Sequence, residues 1–498
     1  MTYLRLFYLI ALWTSRAAPA AVIPAGTALS VRQQEAVGTR FSKAGDPVRA
    51  VLVSPILEND QTILPAGSEL RGRVTMVRRM GLGFKHQTAS LALAFDTIEL
   101  AGGTELPIDA RIKRVETAKE RVGPDGRIQG IGPVTNISSS LAVAAWRLLV
   151  IAPGVGAPVW ATKLVFAPAP DTEIAFARGT EYRLELAQPL VVAESHPAFP
   201  GRPTEPLSEP TKAGTEAVME ALPSRRTAKV SGEPADLINL VLVGPADGVL
   251  RAFQAAGWAK SDRKTAGSVV RTYFSIILRS GYKKAPMARM VLDGNRADIE
   301  LQKSLDTFSK RHHLRVWSRP AEGPGEPMWV AAATEDIGIK FSRQARNFTH
   351  VIDGNVDAER TKVVDDLLYT GCVSEGGLSE RGKLPARLEN GTGTKLETDG
   401  RVAVLRVTDC AEPRVMPGVG ISERRNLFRF LGATIRTELI RSNFISLAYN
   451  GLRLTAATQR FLFGRPAQDG TGEMLTRQQV AWLGETKLAA GKAETPAP

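Results

Sequence analysis

The chain of 498 residues contains two cysteines and five histidines, and aromatic side chains make up only 6% of it. Two cysteines exclude a disulfide-dense scaffold and any four-cysteine zinc module. There is no Walker loop, no Gly-x-Ser-x-Gly elbow and no His-Glu-x-x-His pair. The sequence therefore names no phosphate cradle, serine nucleophile or zincin centre. What is present is the balance of a globular protein, 43% hydrophobic and 23% charged. That balance excludes a mainly disordered, collagen-like or polytopic membrane chain. The length predicts about two or three domains. An excess of 64 Lys+Arg over 51 Asp+Glu leaves a formal charge of +13.

Residues 1–20 have the three parts of a secretory signal. Arg5 supplies the charge, Leu6 to Trp13 an apolar run, and Ala18-Pro19-Ala20 the small residues of a cleavage site. Cleavage after Ala20 is expected; the alternative is an uncleaved anchor. The eight apolar residues fall far short of the ~20 that span a bilayer. Export makes Cys372 and Cys410 a candidate disulfide, the alternative being two separate buried thiols. A bridge between them would constrain the unfolded chain by roughly 3–4 kcal/mol.

Residues 21–193 read as all-β, because a turn-and-strand cassette recurs. Ile23-Pro24-Ala25-Gly26-Thr27-Ala28-Leu29-Ser30-Val31 is echoed by Leu64-Pro65-Ala66-Gly67-Ser68-Glu69-Leu70, and more weakly by Phe176-Ala177-Arg178-Gly179-Thr180-Glu181-Tyr182. Each copy places Gly in a turn before an alternating strand, and Pro is expected at the turn's second position. With the intervening Gly38 to Pro55, these motifs resemble the β-barrel domain of TrbI-like proteins, found in the outer-membrane complexes of conjugation and type IV secretion machines. The resemblance covers about 170 residues and implies a barrel-like fold. Leu141 to Phe166 interrupts the β pattern with two charges, Arg147 and Lys163. Its expected form is a broken apolar hairpin buried against the barrel. The resemblance implies the alternative, a hairpin entering the outer membrane.

Seven prolines between Glu194 and Pro234 mark residues 194–235 as a Pro-rich linker or strap, with a short helix near 212–222. Beyond it the pattern is mixed. Leu237 to Val243 reads as a buried strand and Asp247 to Ala256 as a helix ended by Gly257. Tyr273 to Leu278 and Ala288 to Leu292 read as strands, and His312 to Trp317 pairs with Trp329 to Thr334. A helix from Asp357 to about Leu368 is capped by Asp357. This order predicts an α+β domain over 236–465 with a mostly antiparallel sheet and helices on one face. The runs Asn239 to Trp258, Lys310 to Trp317, Met328 to Ile339 and Thr349 to Gly371 resemble the LssY C-terminal domain family. That resemblance implies an accessory domain of the bacterial envelope, and no catalytic mechanism.

Three histidines, His312, His313 and His350, fall within 40 residues of one another, near Glu335, Asp336, Asp353 and Asp357. Imidazole with carboxylate is a zinc or iron ligand set. Strand alternation limits it: His313, Arg315 and Trp317 share one face, His312, Leu314 and Val316 the other. The candidate polar site is therefore His313, Arg315, His350 and Asp353. His312 reads as a hydrogen-bonded core residue, and Asp353 and Asp357 as turn former and helix cap. Ser342, Arg343, His350 and Asp353 approach a phosphatase phosphate motif, but both spacings are off by one. Leu427, Leu431, Ile435 and Leu439 recur at i+4 among five arginines, and residues beyond Gly484 read as disordered.

The whole reads as an exported two-domain envelope protein, periplasmic or associated with the outer membrane. It is expected to be non-catalytic and to use no cofactor. Its expected partners are envelope proteins, anionic envelope polymers or lipids through peripheral membrane contact, and not nucleic acid. The alternative is a periplasmic hydrolase or metal-dependent enzyme centred on His313, His350 and Asp353.

Overall fold

The computed structural model describes residues 21–420 and residue 432, leaving out 59–60, 82–87, 101–102, 133–147, 149–150, 167–169, 193–204, 223–225, 230–231, 305–306, 308, 320–325, 343–346, 383–387 and 392. The signal-like residues 1–20, the repeat at Leu427 to Leu439 and the tail beyond Gly484 lie outside the described residues.

The N-terminal half is a barrel of six strands. They are β1 (Ala28–Gln33), β2 (Pro47–Leu52), β3 (Glu69–Arg78), β4 (Ser90–Glu99), β5 (Glu105–Val115) and β6 (Glu181–Leu186). Around the barrel the order is β4-β3-β2-β1-β6-β5, and β5 closes it against β4, all antiparallel. Closure satisfies strand edges that an open sheet would expose. The period-2 pattern places the core: in β5, Ile108, Ala110 and Ile112 are buried while Asp109, Arg111 and Lys113 between them are exposed. Gly72 sits at a register shift where β3 crosses closest to β4, and a Cβ there would lie 1.9 Å from the Ala94 carbonyl oxygen.

The three cassettes make one and the same turn. Thr27, Ser68 and Thr180 each donate a backbone N–H and a side-chain hydroxyl to the carbonyl three residues earlier, on Pro24, Pro65 and Ala177. Gly26, Gly67 and Gly179 sit third in the turn with φ of +85°, +91° and +89°, a region that favours glycine. Pro24 and Pro65 therefore stand first in their turns, not second as expected. The hydroxyl at the fourth position is the more constant feature.

Between β5 and β6 lies helix α1 (Pro153–Phe166). Residues 141–147 and 149–150 of the expected hairpin lie outside the described residues; α1 itself is not buried, since Val155, Val159 and Phe166 are exposed, as is Ile151 just before it.

The second half is built on a sheet of β7 (Leu240–Val243), β8 (Ile299–Lys303), β9 (Arg311–Arg319), β10 (Met328–Ser342), β11 (Asn347–Ile352), β12 (Val373–Glu380) and β13 (Arg401–Val407). The order is β8-β9-β10-β7-β13-β12, with Ala259–Lys260 on the β8 edge and β11 along the far end of β10. β7 and β13 run parallel, and the other pairs antiparallel. The helices are α2 (Glu209–Glu220), α3 (Ala246–Ala255), α4 (Ala266–Ile277) and α5 (Val356–Tyr369).

Helices cover both faces rather than one. Val249 and Phe253 of α3 and Val363 and Leu367 of α5 share a core with Leu240, Leu242, Leu314 and Val316. On the reverse, Met219 of α2 packs with Val241, Val243, Trp317 and Val330. β7 is apolar at every position because both of its faces are covered. α2 falls within the Pro-rich stretch, and Val51 and Val53 of the barrel join the α3–α5 core, so the halves pack directly on each other.

Two local expectations are corrected. Tyr273 to Leu278 is helical in α4, not a strand. A capping box, in which Thr265 accepts from the Ser268 backbone and Ser268 accepts from the Thr265 backbone, nucleates the helix and overrides the β-forming composition. The cap of α5 is Asn355, whose side-chain oxygen accepts from the Ala358 N–H at 3.0 Å. Asp357 instead accepts from the Thr398 hydroxyl and pairs with Arg360.

Cys372 and Cys410, buried beside the α3–α5 core, form a disulfide with Cα atoms 5.0 Å apart. The bond ties the entry of β12 to the exit of β13 across 38 residues of chain. Reduction, or replacement of both by Ser, is expected to lower unfolding free energy by about 3–4 kcal/mol. Urea titration with and without reductant measures it, and a loss under 1 kcal/mol would contradict the assignment of a stabilising bond.

Candidate functional site

Alternation along β9 sends His313, Arg315 and Trp317 to the α2 face, and His312, Leu314 and Val316 to the α3–α5 face. On the first face the central group is Asp336. Its carboxylate accepts from Arg311 Nε at 2.9 Å and lies 3.2 Å from His350 Nδ1 and 3.5 Å from His313 Nδ1. His313 Nε2 is 2.7 Å from the Thr334 hydroxyl. Arg315 goes elsewhere, to the Asp236 carboxylate at 3.3 Å and the Ala288 carbonyl at 3.0 Å. Asp353 lies in the turn before α5, where its backbone N–H donates to Glu335 and its carboxylate accepts from the Asn355 N–H. The structure thus brings His313 and His350 together at Asp336, and leaves Arg315 and Asp353 with other partners.

The electrostatics of that group favour structure over chemistry. Burial pushes the His313 imidazole down to about 3, against the pull of Asp336. Burial likewise lowers His350. For Asp336 burial works upward, but His313, His350 and Arg311 outweigh it and hold the carboxyl below its usual range. With both imidazoles neutral near pH 7, Arg311 is the standing counter-charge. A general base works best with a pKa near the operating pH, and His313 at about 3 is far from that. Burial raises Asp236, partly offset by Arg315. Among the described residues the one set of three ligands close enough to share an ion is Glu116, His312 and Glu335, not this group.

The larger polar assembly lies where the halves meet. Glu181, first residue of β6, accepts from Arg32 of β1 at 2.8 Å, Lys303 of β8 at 2.5 Å and Lys362 of α5 at 3.0 Å. Asp366, one turn beyond Lys362, takes Lys303 at 2.9 Å, Lys362 at 2.5 Å and the Trp258 N–H at 2.9 Å. Arg32 also donates to the Pro417 carbonyl at 2.7 Å. Arg32, Lys303 and Asp366 are buried and Glu181 and Lys362 nearly so, which makes the pairs mutually dependent. Burial works upward on Glu181, but Lys303, Lys362 and Arg32 hold it well below the carboxylate range. Burial lowers Lys303 to about 8 despite Asp366 and Glu181, whereas the same two carboxylates raise Lys362. A second bond across the junction runs from the Ser54 hydroxyl to Asp365 at 2.6 Å. A cavity of about 70 Å³ at this junction is lined in part by Arg32, Glu116, Glu181, Lys303 and His312.

None of Arg32, Glu181, Lys303 or Asp366 was singled out from the sequence. Arg32 and Glu181 are 149 residues apart, and one charged side chain on a strand carries no local signal of its partner.

The family model described as LssY C-terminus matches residues 219–402, a stretch that runs from the end of α2 to the start of β13. No curated protein matches the chain. Among solved structures, ComB10 of the Com type IV secretion system of Helicobacter pylori is 12% identical and aligns over 34% of this chain and 90% of its own, with a TM-score of 0.20. That overlap is too slight to bear on fold or function.

Proposed function

We propose that the protein is a non-catalytic, envelope-associated binding protein that rests on an anionic lipid surface through α1 and α4. The observation that carries this reading is the exposed apolar stripe of α4. Val269, Tyr273 and Ile276, spaced i, i+4, i+7, are exposed together with Val270. The Tyr273 hydroxyl donates to the Phe166 carbonyl at 2.7 Å, which joins this stripe to the apolar side chains of α1. Exposed Arg263, Lys264, Arg271, Lys283 and Lys284 flank it. An apolar helical face rimmed by cations is the surface that lies in a lipid interface, and each cation near anionic lipid adds about 1 kcal/mol. No helix among the described residues is long and apolar enough to cross a membrane.

The LssY C-terminus match supports an envelope role, the disulfide favours an oxidising compartment, and the +13 charge suits anionic surfaces. The hydrolase reading loses support because His313 and Asp336 are buried and Asp353 is committed to its turn. Co-sedimentation of the purified protein with phosphatidylglycerol and phosphatidylcholine vesicles tests the proposal. Binding to the anionic vesicles is expected, reduced at least about tenfold by Val270→Asp with Ile276→Asp and weakened by salt. Equal partition onto both lipids, or none, would overturn it.

A further inference from the structure

His312 is buried, 3% exposed, and one ring nitrogen is well served: Nδ1 lies 2.8 Å from the Glu359 carboxylate in the first turn of α5. A buried carboxylate accepts, so Nδ1 donates to it. Nε2 is buried and has no hydrogen-bond partner. Near the ring stand two carboxylates from different halves of the molecule. Glu335 is the cross-strand neighbour of His312 on β10, and Glu116 follows the last residue of β5 in the barrel. The three ligand atoms lie within 4.8 Å of one another.

A buried imidazole nitrogen without a partner, grouped with two carboxylates, is a ligand set that an electron-accepting ion completes. Arg114 meets part of that demand: it pairs with Glu335, and its Nε lies 3.1 Å from Glu116. A guanidinium contacting both carboxylates still leaves Nε2 without a donor. We infer that Glu116, His312 and Glu335 form a binding site for a divalent transition metal of the zinc class, bridging the barrel and the C-terminal sheet. Zinc bonds to imidazole nitrogen and carboxylate oxygen are about 2.0–2.2 Å, so a small inward movement of the three groups suffices. Arg114 must withdraw from the shared position, and a water from the adjoining cavity supplies the fourth ligand. Glu359 takes the outer position that a carboxylate usually holds behind a ligating histidine. This site is distinct from the lipid-facing helices, and its test reads metal alone.

The full chain, stripped with chelator and dialysed, is titrated with Zn²⁺ by calorimetry, with metal content checked by elemental analysis after gel filtration. One equivalent per chain is expected. Glu116→Gln, which changes no volume, and His312→Phe are each expected to abolish stoichiometric retention. Glu359→Gln should weaken binding 10–100-fold. Should His312→Phe fail to fold, Glu116→Gln alone decides, since its side chain sits at the barrel end. Absence of stoichiometric zinc in the parent protein, or equal affinity in Glu116→Gln, overturns the site.

Discussion

Glu181→Gln is expected to destabilise the protein by about 4–5 kcal/mol at pH 7, the upper end of the range for breaking a buried pair. The substitution preserves shape, so no cavity term enters. What it removes is the common counter-charge of Arg32 and Lys303, which stay buried, and of Lys362, which is nearly so. Lys303 and Lys362 retain Asp366, but Arg32 loses its carboxylate partner. Because the three cations come from both halves, the loss is expected to separate unfolding into two transitions. Urea titration followed by tryptophan fluorescence and far-UV circular dichroism measures both. Overlapping curves shifted by less than 1 kcal/mol would show that the junction does not depend on this cluster.

The second large effect is a loss of stability in mild acid through His313. In the unfolded chain its imidazole takes a proton near pH 6.5, whereas burial delays that in the folded protein to about pH 3. Between those values the unfolded state binds the extra proton, so stability is complete above pH 6.5 and falls as pH falls through the window. The full span corresponds to roughly 5 kcal/mol at 1.36 kcal/mol per pH unit. His350, also lowered by burial, adds in the same direction. Asp365 opposes them: burial raises it to about 6, so between its unfolded value and pH 6 the folded state holds the extra proton. Carboxylates held low, such as Asp336, act only below about pH 4. Stability measured in urea from pH 7.5 to 4.5 should therefore fall, and His313→Gln should reduce proton uptake on unfolding by nearly one. An unchanged slope in that variant would rule out His313 as the source.

Features with a short repeat were readable from the sequence. The cassettes repeat in space because each uses a local turn whose glycine and hydroxyl act within four residues. The alternation of β9 placed His312 and His313 on opposite faces because a strand's period is fixed by its backbone. Composition misled where a local cap opposed it, as in α4, whose Tyr273, Ile276 and Ile277 favour strands while Thr265 and Ser268 start a helix. The short helix expected near 212–222 is α2, but its packing on the reverse face of the sheet was not read from the sequence, although the unbroken apolar run of β7 is the mark of a strand covered on both faces. The junction was illegible for a different reason. Glu181, Lys303 and Asp366 become meaningful only through partners that the fold brings from distant parts of the chain. His312 was legible as a core residue through its neighbours Leu314 and Val316, but the approach of Glu116 depends on how the barrel seats against the sheet.

The parallel pairing of β7 with β13 bears on the order in which the chain can be assembled. Leu240 aligns with Ala403 and Val243 with Arg406, so the middle of the sheet is completed by residues some 160 positions later. Non-local pairings of this kind slow folding, because loop closure precedes any gain from contact. Until the chain is made as far as Val407, β7 stands as an open apolar edge of the sheet. A nascent chain therefore passes through a long interval in which this edge is available for misassociation. The disulfide partner Cys410 follows β13 by three residues, so oxidation can lock the sheet only after its last strand has arrived.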